Sequence, residues 1–87
     1  MEITMYKNKA KNGRNNICGQ KIKQFRDSLP EKTSQRKFAE LLQVYNLDID
    51  KNAVQRIESG QRFVTDIELK VIASVLGVSY QQLLDDE

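Results

Sequence analysis

Start and stop signals for helices follow one another so closely in this chain that only short helices fit between them. The sharpest case is Asp50–Phe63, DKNAVQRIESGQRF. Asp50 can accept a bond from a free backbone N–H at a helix start. Gly60 stands where a left-handed C-terminal cap is needed. Between them Val54 and Ile57 share one face, while Asn52, Gln55, Arg56 and Ser59 fall on the other, with Lys51 at the entrance. Such a helix can pack on one edge and present long hydrogen-bonding side chains on the other.

The same punctuation divides the rest of the chain. A first helix is expected over about Ile17–Ser28, capped by Asn16, with Ile17, Ile22, Phe25 and Leu29 on its apolar side. Leu29-Pro30 ends it, because the residue before proline is pushed out of the helical region. Thr33 and Ser34 can cap a second helix carrying Phe38, Ala39, Leu41, Leu42 and Tyr45, which fades between Gln43 and Asn46. Residues 46–50 then form a turn, with Leu47 and Ile49 pointing inward. Thr65 and Glu68 have the spacing of a capping box, ahead of an apolar side made of Ile67, Val71, Ile72, Val75 and Leu76 and a stop at Gly77. Ser79 and Gln82 repeat the box before Leu83 and Leu84. No hairpin dipeptide separates alternating runs, and the five short helices predict a compact all-α domain.

Composition narrows the chemistry. A chain of 87 residues is one domain, and a core of that size buries only about 60% of the unfolded surface. Histidine is absent and Cys18 is the single cysteine. A zinc site built from these ligands and nucleophile–histidine catalysis are therefore not expected, nor is any cofactor or small-molecule substrate. Most acidic residues fall at helix starts or in the C-terminal Asp85-Asp86-Glu87, where capping and solvation account for them, so no enzyme is expected. A lone cysteine suits a reducing cytoplasm. No apolar run approaches the ~18 residues of a membrane span, and MEITMYKNKA lacks an apolar signal core followed by a small-residue cleavage site, so secretion is not expected. The net charge is only +2, but Lys7, Lys9, Lys11, Arg14, Lys21, Lys23 and Arg26 gather at the front and the acids at the tail. That asymmetry suits a polyanion-binding face, or equally a plain solvated surface. Residues 1–16 read as a basic flexible arm and residues 17–87 as the domain.

Two helices joined by a turn, the second amphipathic as described, are the parts of a helix-turn-helix. A small residue on the first, Ala39, lets the pair cross closely. Val54 and Ile57 lock the second onto the core. Gln35 at the start of helix two and the Gly60-Gln61-Arg62 loop can meet phosphates. The run Ser34-Gln35…Phe38-Ala39-Glu40-Leu41-Leu42, then Ala53-Val54-Gln55-Arg56-Ile57-Glu58-Ser59-Gly60-Gln61-Arg62, then Glu68-Leu69…Ile72-Ala73…Leu76-Gly77-Val78-Ser79…Leu83-Leu84 resembles the Cro/repressor-type helix-turn-helix of the XRE family, from about Ile17 to Leu84. The spacing from Ala39 to Glu58 is longer than in that pattern, its turn glycine is missing, and Leu29–Lys32 lengthens the loop after helix one.

The resemblance implies a five-helix, lambda-repressor-like fold, binding to operator DNA, and a homodimer on a two-fold site. Carried over by position, Gln35 would bond a phosphate and help fix the recognition helix. Lys51, Asn52 and Arg56 would face base edges, with Gln55 near bases or backbone. Ser59, Gln61 and Arg62 would touch the DNA backbone. Arg26 and Glu58 would pair inside the domain. The bland alternative for the helix-three residues is a solvated polar face. Phe25, Phe38, Tyr45 and Tyr80 are expected in core or interface, and Phe63 as loop packing. Val78, Tyr80, Leu83 and Leu84 are the expected dimer residues. The expected partner is double-stranded DNA, with no membrane. A protein-interaction module or antitoxin component with the same fold is the rival. RNA binding is the weaker alternative, because no aromatic stacking platform is visible.

Overall fold

The chain's structure, a computed structural model, describes residue 10 and residues 12–85. The basic residues Lys7, Lys9 and Lys11 and the terminal Asp86 and Glu87 lie outside the described residues. Five α-helices follow in order: α1 Gly19–Asp27, α2 Gln35–Val44, α3 Lys51–Ser59, α4 Asp66–Leu76 and α5 Tyr80–Leu84. Among the described residues there is no strand.

Local chemistry explains where four of the helices begin. Ser34 accepts from Lys37 N–H, Asp50 from Ala53 N–H, and the Thr65/Glu68 and Ser79/Gln82 boxes are both closed. Each arrangement satisfies a first-turn donor that has no partner within its helix. Helix α1 begins at Gly19, two residues later than the Ile17 expected from the sequence. Asn16 nevertheless serves its start, since its Oδ1 accepts from Gly19 N–H at 2.8 Å.

Helices α2, α3 and α4 all end alike. A left-handed residue follows each of them closely: Asn46 (φ 68°), Gly60 (φ 85°) and Gly77 (φ 70°). Its N–H donates to the carbonyl three residues back, and the next N–H donates five back: Leu47 to Leu42 O (3.0 Å), Gln61 to Arg56 O (2.9 Å), Val78 to Ala73 O (3.0 Å). This is the Schellman closure. Asn46 thus supplies the left-handed residue that ends α2, because its short polar side chain tolerates that region. The extra residues of the turn are anchored. Leu47 and Ile49 are buried, and Gln43 Nε2 donates to Ile49 O at 2.8 Å. Replacing Asn46 by glycine is expected to leave stability unchanged to within about 0.5 kcal/mol. Asn46→Val is expected to cost about 1–2 kcal/mol in urea unfolding, since a β-branched side chain resists positive φ.

The core is formed by Ile22, Phe38, Leu42, Val54, Ile57, Ile72 and Leu83, one or two from every helix. Helix α3 packs on both α1 and α2, and α4 and α5 close the other side. Three apolar residues expected inside are exposed. Ile67 is 71% exposed. The row Glu68–Ile72–Leu76 faces the core, whereas the row of Ile67, Val71 and Val75 only borders it, and Ile67 overhangs in the first turn. Tyr45 is 56% exposed because α2 ends at Val44, so the stripe of Phe38 and Leu42 is not carried one turn further. Ile17 is exposed because it precedes the helix. Phe25 is half-buried at the core edge, and Phe63, expected to pack the loop, is 52% exposed.

Candidate nucleic-acid interface

Helix α3 presents two chemically opposite sides. Val54, Ile57 and Glu58 are buried. Lys51, Asn52, Gln55, Arg56 and Ser59 are all exposed, and the spacing of 52, 55, 56 and 59 puts those four on one helical face. At the N-terminal end of α3, Lys51 and Asn52 line an open cleft against α2, opposite Arg36, Ala39, Glu40 and Gln43. The five helix-three residues singled out from the sequence therefore share one solvent-facing surface.

The buried side of α3 is fixed by a charge pair. Arg26 on α1 donates from Nε to Glu58 Oε2 at 2.7 Å and from Nη2 to Oε1 at 3.0 Å, while Nη1 donates to Thr33 O at 2.8 Å. Both side chains are almost wholly buried. The bonds to Glu58 raise the Arg26 guanidinium above its ordinary pKa, against the opposing effect of burial. Gln35 Nε2 adds a third donor to the carboxylate, on Oε1 at 2.9 Å. Helices α1, α2 and α3 thus meet on one carboxylate, and the half-exposed Gln35 side chain is part of that junction.

Arg62 is turned back onto α4. Its guanidinium forms a two-pronged pair with Glu68, Nη1 to Oε1 at 2.9 Å and Nη2 to Oε2 at 2.7 Å. Glu68 Oε1 also accepts from Thr65 N–H. The Arg62 bonds, followed by the backbone bond at Thr65, hold the Glu68 carboxyl below its ordinary value of 4.5, although burial opposes them. A depressed folded pKa contributes stability that is present above the unfolded value and lost as pH falls through the folded one. The melting temperature should therefore drop on acidification below about pH 4.5. Glu68→Gln should melt lower at neutral pH and show a flatter acid limb. Equal acid limbs would contradict this.

The C-terminal end of α3 is held by the segment just ahead of α1. Arg14 donates to Glu58 O (Nη2, 2.7 Å) and Ser59 O (Nη1, 3.1 Å). Asn15 donates its backbone N–H to Gly60 O at 2.8 Å and Nδ2 to Gln61 O at 2.9 Å. Asn16 Nδ2 donates to Ile57 O at 3.0 Å and Arg62 O at 2.7 Å. Consecutive carbonyls from Ile57 to Arg62 are all satisfied in this way. A helix C-terminus leaves carbonyls unpaired and carries partial negative charge, so a guanidinium and two amides are suited to it. The approach is tight. A Cβ on Gly19 would strike Ile57 O, and one on Gly60 would strike the Arg14 guanidinium. Residues 14–16, expected as the end of a free arm, are bonded to the domain. Only the capping role of Asn16 is local; the partners of these residues on α3 and its loop lie 41–46 positions away.

Among the other predicted residues, Ser59 is exposed, with its hydroxyl on Arg56 O at 3.3 Å, and Gln61 is exposed in the loop. No helix among the described residues is long and apolar enough to cross a membrane.

Two helices linked by an anchored turn, the second seated on a buried charge pair with its polar face outward, define a helix-turn-helix protein. A family model described as "Helix-turn-helix" matches residues 22–83. The chain belongs to that family, the Cro/repressor-type or XRE helix-turn-helix, whose members are DNA-binding regulators. No curated protein and no solved structure matches the chain significantly.

Proposed function

We propose that this chain is a sequence-specific transcriptional repressor that acts in the cytoplasm by occupying operator DNA, with no covalent chemistry of its own. The observation that carries this is the exposed polar face of α3, rigidly backed by the Arg26–Glu58–Gln35 junction. Arg56 has the fork for guanine O6 and N7, and Asn52 has the paired donor and acceptor for adenine. Lys51 reaches guanine or a phosphate, and Gln55 lies beside them. Ser59 and Gln61 meet the DNA backbone. Gln35 serves at the phosphate edge chiefly through the N-terminus of α2, since its amide donates to Glu58. Arg62, paired with Glu68, shapes the loop and contributes its charge near the phosphates.

The protein acts as a homodimer in this proposal. Ile67, Tyr80 and Leu84 are exposed around a shallow apolar groove that Leu69 also lines. They are the dimer residues proposed here. Leu83, expected among them, is 0% exposed and belongs to the core. Two recognition helices then read half-sites about 34 Å apart.

Enrichment of bound sites from a random duplex pool, followed by titration of the winning site in rising salt, tests the proposal. A palindromic consensus with half-sites one turn apart, and affinity that falls steeply with salt, is the expected result. No binding to any duplex at low salt would leave the interaction module as the surviving function.

A further inference from the structure

We infer that Arg14, Asn15 and Asn16 form a positioning clamp for DNA recognition: they hold the last turn of α3 and the Gly60–Arg62 loop in the conformation that meets the DNA backbone. The inference rests on the DNA-binding function proposed above and extends it to residues outside the helix-turn-helix and outside the family match at residues 22–83. The bonds are concentrated where they bear on this. Each carbonyl from Ile57 to Arg62 accepts from the clamp. Those carbonyls set the orientation of the peptides that carry Ser59, Gln61 and Arg62, and Arg62 is the one whose charge near the phosphates enters the salt slope. The other end of α3 is capped by Asp50 from within the helix-turn-helix, so the C-terminal end is the one that depends on a distant segment. The clamp also brings a guanidinium to the end of α3 that carries the partial negative charge of its dipole.

Two routes from these residues to DNA affinity must be separated. Arg14 could touch a phosphate itself. Asn15 carries no charge, and its Nδ2 is occupied by Gln61 O, so any effect of Asn15 on salt dependence passes through the loop. The test uses the full chain with Arg14→Met, Asn15→Ala and, as a reference, Val75→Ala on α4, a half-buried position with no hydrogen bond to the clamp. All are assayed at a temperature where circular dichroism shows them folded.

Amide exchange at Gln61 and Arg62 should speed up about fivefold in both clamp variants, the equivalent of one lost hydrogen bond. Each should also bind the enriched site with a salt slope shallower by about one. The gap in affinity between about 50 and 200 mM salt then shrinks roughly threefold to fourfold per contact. Base preference should stay as in the wild type, and Val75→Ala should change neither slope nor exchange in the loop. Faster exchange with an unchanged slope would make the clamp structural only and overturn the inference. A slope change in Arg14→Met but not in Asn15→Ala would overturn it in favour of direct contact. Failure of the wild-type chain to bind any duplex is a separate result, and it would remove the DNA function together with the inference.

Discussion

Glu58→Ala is expected to lower the unfolding free energy by about 3–5 kcal/mol, most of the margin of a small domain. The magnitude comes from what remains. Arg26 stays buried with its charge, keeping Thr33 O and the exposed Asp27 as neighbours but losing both bonds to the carboxylate. Gln35 loses its acceptor in the same step. An uncompensated buried guanidinium is costly because little water can reach it. Urea unfolding would measure the loss, and a drop below about 1 kcal/mol would mean that the pair is solvated in solution. A double replacement separates pairing from packing. Arg26→Met with Glu58→Leu removes both charges and should recover most of the loss, since apolar groups of similar volume often replace a buried ion pair at little cost. Recovery should be incomplete, because Gln35 and Thr33 O still lose their partner.

Arg56→Ala is expected to act on DNA affinity and hardly at all on the fold. The side chain is exposed on α3 and makes no side-chain bond to the rest of the protein among the described residues. The capping bonds at that position use its carbonyl, which alanine keeps. Unfolding should therefore stay within about 0.5 kcal/mol of wild type. Affinity for the enriched operator should fall about 5- to 150-fold, and one base position should lose its preference. Arg56→Lys retains the charge without the planar fork, so it should keep the salt slope while losing discrimination at that base. Unchanged affinity and base preference in a folded Arg56→Ala protein would sink the assignment of α3 as the reading helix.

How much of this could be foreseen follows the range of the forces involved. Ser34, Asp50, Thr65 with Glu68, Ser79 with Gln82, Gly60 and Gly77 act on neighbours within one helical turn, and all were legible from spacing. The Arg26–Glu58 pair spans 32 positions, and only the family resemblance pointed to it. Asn46 gives a weaker signal, because asparagine adopts the left-handed conformation less often than glycine, although it ends α2 in that conformation here. Ile67 and Tyr45 stand exposed although periodicity puts them on apolar stripes, because periodicity gives a stripe its direction but not its length. The Glu68 spacing revealed a cap and concealed the ion pair with Arg62, since one carboxylate serves both. For the candidate site, the exposed face of α3 was readable as amphipathicity. Which of its side chains were free depended on tertiary partners.

The bonds from Arg14, Asn15 and Asn16 also bear on where the cooperative unit begins. Cutting ahead of α1 would spare every helix yet leave the carbonyls at the end of α3 facing water or one another. A fusion joined directly to Ile17, or a protease nick at Asn16-Ile17, would therefore be felt more than 40 positions away, at the end of α3, before any helix was touched. The indivisible piece of this protein starts upstream of its first helix, at a stretch with no regular secondary structure of its own.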